Sequence, residues 1–192
     1  MSSRPVVLVD IDDTLADTQV KMLEYVNRNG DKTYQYHKLT REFRDGKIAD
    51  YEKLVQEYLS RPDLVEEILP YDNTLEAMQR LETGGYEIHI VSTRKEPLHN
   101  STIKWLSRHG FDQHIKKVHP RPSEKIGHKF KQDTANLVNA VAAFDDTLRV
   151  VIAMAEIVPV VYLIDKPWNQ GKLPRNIVRV SSFVEAVDLF LV

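Results

Sequence analysis

Val6-Val7-Leu8-Val9-Asp10-Ile11-Asp12-Asp13-Thr14-Leu15 is the stretch that decides the fold. Its aliphatic run, rich in β-branched residues, reads as a strand buried on both faces, as in a parallel sheet. The run ends abruptly in carboxylates at Asp10, Asp12 and Asp13. Open α/β sheets place their ligands at the carboxyl ends of such strands. Negative charge this dense is unfavourable unless a cation or hydrogen-bond donors compensate it. A divalent cation does so most simply, and hard carboxylate oxygens suit Mg²⁺. The plainer alternative is a polar strand-to-helix turn in which Asp12 or Asp13 caps the helix.

Outward from that stretch, the 192 residues suffice for one sizeable core carrying a small insertion. A hydrophobic content of 42% and a charged content of 28% are those of a soluble globular chain. The net charge of −2 gives no electrostatic case for non-specific binding to nucleic acid or a membrane surface. The lack of cysteine excludes disulfides and thiolate metal sites, and it suits a reducing interior. Residues 1–5 are too short and polar for a signal peptide, and no apolar run approaches membrane-spanning length. The expected location is cytoplasmic.

Helical periodicity follows the first strand over residues 18–29, then again over 50–59 and 63–68. Roughly 55 residues separate the first strand from the helix beginning near Asn73, far beyond the usual two to six of a βα loop. An inserted helical cap over residues 17–72 is therefore expected, on a core made of residues 1–16 and 73–192. The core segment alternates strands (86–91, 115–118, 141–144, 158–164, 177–180) with helices (74–82, 98–108, 131–141, 147–156, 183–191). That rhythm implies an α/β fold with a mostly parallel sheet covered on both faces.

Parallel strands carry their carboxyl ends to one edge, so three polar turns can converge there: Asp10 to Asp12, Ser92-Thr93-Arg94 and Asp145-Asp146. The spacing Asp10-x-Asp12-x-Thr14-Leu15, with these later turns, resembles the haloacid dehalogenase (HAD) superfamily, a Rossmann-like fold of phosphotransferases. The resemblance implies that Asp10 is the nucleophile that takes up the phosphoryl group and Asp12 the general acid and base. Ser92 would bind the phosphoryl group. Asp145-Asp146 would complete the site for Mg²⁺ with Asp10 and Asp12, Asp146 as direct ligand and Asp145 behind it. A lysine is also implied within His128-Lys129-Phe130-Lys131; Lys129 is preferred over Lys131 because the helix is expected to begin just after it.

Phe144-Asp145-Asp146-Thr147-Leu148-Arg149 and Asp165-Lys166-Pro167-Trp168-Asn169 look like the 5′-nucleotidase group that includes the 5′(3′)-deoxyribonucleotidases. Ser92-Thr93-Arg94 is similar to the phosphatase domain of phage polynucleotide kinases. Two positions depart from the pattern: Asp13 stands where glycine is common, and Ser92 where the deoxyribonucleotidases carry threonine. No G-x-x-x-x-G-K-[ST] segment accompanies them, which argues against a joined kinase.

The reading is a Mg²⁺-dependent phosphomonoesterase for a small phosphate ester, foremost a nucleotide, working through an aspartyl-phosphate. A sugar phosphate or a non-catalytic phosphate-binding role are the alternatives. A nucleic-acid end is less favoured, and no membrane partner is expected. Thr93, Arg94 and Trp168 are the expected substrate contacts, with Arg94 either clamping phosphate or lying on the surface. Tyr34, Tyr36 and Phe43 either stack a base or form the cap's own core.

Overall fold

The computed structural model describes residues 4–44 and 46–192. At its centre is β1 (Val6–Val9), with β2 (Glu87–Val91) on one side and then β3 (Ile115–His119). On the other side lie β4 (Ala142–Asp145), β5 (Val160–Ile164) and β6 (Ile177–Val180). The order β3-β2-β1-β4-β5-β6 is parallel throughout. The chain works outward from β1 to β3, then returns to β4 and works outward the other way. Between β1 and β4 the order reverses, and the crevice outside their carboxyl ends is where such sheets bind ligands.

Between β1 and β2 come α1 (Thr18–Asn29), α2 (Arg41–Arg44), α3 (Ala49–Leu59), α4 (Pro62–Glu66) and α5 (Thr74–Thr83). Later helices are α6 (His99–Arg108), α7 (Gly127–Val138), α8 (Leu148–Met154) and α9 (Phe183–Phe190). Alternate side chains of β1 enter two different cores. Val7 and Val9 join Ile88, Ile90, Phe144 and Tyr162, closed over by Met78, Trp105 and Val187 of α5, α6 and α9. Leu8 joins Ala143, Val161 and Leu163 under Phe130 and Val151 of α7 and α8. Each such side chain contributes about 1.5–3 kcal/mol on burial, which is why this strand carries no polar alternation.

The segment holding α1 to α4 leaves and rejoins the sheet through two chain strands that touch. Asp17 N donates to Leu69 O at 3.0 Å and Tyr71 N to Leu15 O at 2.8 Å, and Ala16 bridges Pro70 in antiparallel fashion. Within the segment, Tyr34, Phe43 and Tyr51 meet edge to face with ring centroids 5.1–5.4 Å apart. Tyr25 and Tyr58 pack likewise at 5.5 Å. Among the described residues, no helix is long and apolar enough to cross a membrane.

Most elements fall where the periodicity places them; α7 does not. It begins at Gly127 rather than near residue 131, and it ends at Val138, where Asn139 turns left-handed with φ of 51°. Gly127 permits that early start. A Cβ there would stand 2.8 Å from the Thr93 methyl, so only glycine lets the helix press against the turn after β2. The register of α7, and with it the inward-facing lysine, follows from this contact.

Candidate active site

Asp10 follows the last residue of β1, and its amide donates to Phe144 O of β4 at 3.0 Å, fixing the two strand ends level. That brings Asp10 beside Asp145 and Asp146: one carboxylate oxygen from each lies within 4.8 Å of the others. All three residues are buried. Into them projects Lys131 of α7, itself 1% exposed, with Nζ 2.8 Å from Asp10 Oδ1 and 2.7 Å from Asp145 Oδ2.

Burial pushes the Asp10 carboxyl well above the usual range; Lys131 opposes this, and Asp145, Asp12 and Asp146 add to it. Burial likewise raises Asp145 against the pull of Lys131. For Lys131, burial alone would lower the ammonium, but Asp10 and Asp145 outweigh it and hold it above its ordinary value. One ammonium facing three carboxylates leaves negative charge over. The donors are buried hard oxygens, and that fits Mg²⁺ at Asp10 and Asp146.

Asp12 lies across the turn, partly exposed. Arg94 grips it in a fork, Nη2 to Oδ1 at 2.7 Å and Nε to Oδ2 at 3.0 Å, while Thr18 Oγ1 of α1 donates at 2.6 Å. Of the two sequence alternatives for Arg94, the surface position is excluded by its burial. Arg94 is buried between Asp12 and Thr102, whose hydroxyl it also reaches at 3.3 Å. Asp13 adopts φ of 61°, the left-handed region that explains why glycine suits this position. Its carboxylate accepts from Gln19 N at 2.9 Å, so it satisfies a free amide in the first turn of α1 and offsets the strain.

Ser92 is buried at the end of β2, where its Oγ accepts from Arg94 N at 3.2 Å. Thr93 is exposed, with its methyl toward Gly127. The preference for Lys129 is corrected. Lys129 is exposed, because α7 starts earlier than expected and turns Phe130, Lys131 and Thr134 inward instead.

Trp168, expected as a substrate contact, lies beside Asp146. It is 4% exposed; its Nε1 donates to Asp146 Oδ2 at 2.9 Å, and Tyr36 packs edge-on against its ring at 5.6 Å. Tyr34 and Phe43 turn to each other and to Tyr51 rather than to the carboxylates. Two residues were given no role in the sequence reading. Fully buried Asn169 donates through Nδ2 to Asp146 O at 2.6 Å and to Ile164 O at 2.7 Å. Arg179 of β6 donates to Asn169 Oδ1 at 2.7 Å. Asparagine beside Trp168, in the turn that follows β5, was the available signal.

A reversed parallel sheet with a carboxylate pair after β1, a second after β4 and a buried lysine between them defines a HAD-type hydrolase fold. The comparisons agree. A predicted phosphatase from Clostridium acetobutylicum superposes with a TM-score of 0.69 at 13% identity, covering 99% of each chain. A haloacid dehalogenase-like hydrolase from Streptococcus pneumoniae gives 0.66 at 11%, covering 99% of this chain and 100% of that one. CbbY from Rhodobacter sphaeroides, solved in complex with phosphate, gives 0.65 at 14%, covering 95% and 96%. No curated protein matches the sequence. The profile of the family described as 5′ nucleotidase, deoxy (pyrimidine), cytosolic type C matches residues 4–192, and the chain belongs to that family.

Proposed function

We propose that this chain is a Mg²⁺-dependent phosphomonoesterase that hydrolyses a nucleotide through an aspartyl-phosphate on Asp10. The observation that carries this reading is Lys131 lying between Asp10 and Asp145, with Asp146 alongside. A carboxylate held next to a buried ammonium, at the carboxyl end of a central strand, suits a nucleophile for a phosphate dianion. Asp10 attacks phosphorus, the bond to the ester oxygen breaks, and Asp12 gives that oxygen its proton. Asp12 then takes a proton from water as the water attacks phosphorus; the acyl-phosphate bond breaks, freeing phosphate and restoring Asp10. Lys131 and the Ser92 hydroxyl bind the phosphoryl oxygens. Mg²⁺, held by Asp10 and Asp146, would supply further charge neutralisation for the phosphoryl group.

Arg94 and Thr18 hold the Asp12 carboxylate in place through their hydrogen bonds to it. Residues 17–72 act as the cap, joined to the core at Ala16 and Pro70. The choice of a nucleotide rests on family membership. A cytoplasmic location accords with the cytosolic description of that family.

The test is phosphate release from deoxynucleoside and nucleoside 5′- and 3′-monophosphates, sugar phosphates and an aryl phosphate, with Mg²⁺ or a chelator. The expected outcome is Mg²⁺-dependent turnover fastest on a nucleotide. Sugar phosphates leading would replace the substrate class. No hydrolysis of any ester would leave only phosphate binding.

A further inference from the structure

We propose that Trp168 is a positioning residue for the metal ligand Asp146, and that Tyr36 extends this support into the inserted helical segment. The inference rests on the reading of Asp146 as a Mg²⁺ ligand. A metal-bound carboxylate must present one oxygen in a fixed direction, and the groups that hydrogen-bond to it set that direction. Both oxygens of Asp146 have such partners. Trp168 Nε1 donates to Oδ2 at 2.9 Å and Thr147 Oγ1 to Oδ1 at 3.1 Å.

The turn carrying Trp168 is rigid for reasons visible in its bonds. Asn169 spends both amide hydrogens on Asp146 O and Ile164 O, and its carbonyl accepts from Lys166 N at 3.1 Å and Arg179 Nη1 at 2.7 Å. Lys166 Nζ in turn donates to Tyr71 Oη at 2.9 Å, and Tyr71 Oη to Asp17 Oδ1 at 3.1 Å. The indole is therefore aimed at Asp146 by a turn anchored to β4, β5, β6 and both connectors of the insertion. The Trp168 ring packs within the apolar core, which leaves only its N–H to be satisfied. Its single donor needs an acceptor, and here that acceptor is a ligand carboxylate. Tyr36 closes the outer side of the indole. Movement of the segment around residue 36 would thus loosen Trp168 and, through it, the direction of Asp146.

The experiment is calorimetric titration of Mg²⁺ into the purified full chain and into Trp168→Phe, alongside the melting temperature of each without metal. Trp168→Phe keeps an aromatic ring and loses the donor. In a second variant, 3-benzothienylalanine at position 168 keeps the shape and replaces N–H with sulfur; it decides the matter if the smaller ring fails to fold. We expect a Kd for Mg²⁺ about ten-fold weaker in both, with the isostere melting within a few degrees of the wild type. Tyr36→Leu should weaken binding in the same direction by less. Unchanged Mg²⁺ affinity in the folded isostere would overturn the inference while leaving the catalytic reading intact. A wild-type chain that binds no Mg²⁺ would overturn both.

Discussion

Two pairs of strands in one sheet bury ionisable groups, and they resolve the cost in opposite ways. At the ends of β1 and β4, Asp10, Asp145 and Asp146 gather around the Lys131 ammonium. On β2 and β3, His89 and His119 lie buried with His119 Nε2 3.0 Å from His89 Nδ1. Burial first, then its partner and Lys117, pushes His119 down to about 4, and burial lowers His89 although Glu87 pulls it up. The histidine pair thus avoids charge by staying neutral and sharing one proton between facing nitrogens. The carboxylate cluster keeps charge and imports a counter-charge. A fold that needed only stability would choose the first solution in both places, because a buried ion pair adds little net stability. The second solution makes sense where charge is wanted for chemistry.

The sharpest test of that contrast removes a charge from the carboxylate cluster. Asp10→Asn should lower hydrolysis by at least about 10³-fold, the scale of an essential nucleophile. Its melting temperature should hold or rise, since a like-charge contact has gone. Hydrolysis near wild type in the folded variant would remove Asp10 from the nucleophile's role.

Next in size, Lys131→Met should destabilise the chain by about 3–5 kcal/mol, because it leaves buried carboxylates uncompensated. Lys129→Met should stay within about 0.5 kcal/mol, as a surface change does. Denaturant melts of the two variants compare them directly, and equal effects would return Lys129 to consideration.

The smallest effect concerns the histidines. Their folded values lie below that of an unfolded chain, so the native state binds fewer protons across the interval between. Their stabilising contribution is whole above about pH 6.5 and is lost progressively as pH falls toward about 4. His119→Gln should flatten that part of the stability-against-pH curve, measured by urea unfolding. An unaltered slope would show that the pair already takes up a proton while folded.

The contrast also marks what a sequence can reveal. Asp10, Asp145 and Asp146 were legible because each directly follows or closes an aliphatic strand, and Asp12 because it lies in the turn that follows. Lys131 was not. Positions 129 and 131 are about 200° apart around a helix, so the choice depends on where α7 sits, which Gly127 settles by contact with Thr93. Arg94 and Trp168 were legible as polar residues near strand ends. Their partners, Asp12 and Asp146, lie 82 and 22 positions away, and no local pattern encodes such pairings.

The joined connectors at Ala16 and Pro70 have a consequence for how the chain finds this sheet. Val6 pairs with Glu87, so β1 must wait for a partner far along the chain. Once residues 15–17 meet 69–71, everything between them drops out of the path, and the loop left to close is roughly three times shorter. Loop entropy varies as the logarithm of length, so this eases the closing of β1 on β2 by about 1 kcal/mol. Helices α1 to α4 therefore add little to the loop entropy of closing the sheet, because the chain on either side of them is already joined at residues 15–17 and 69–71.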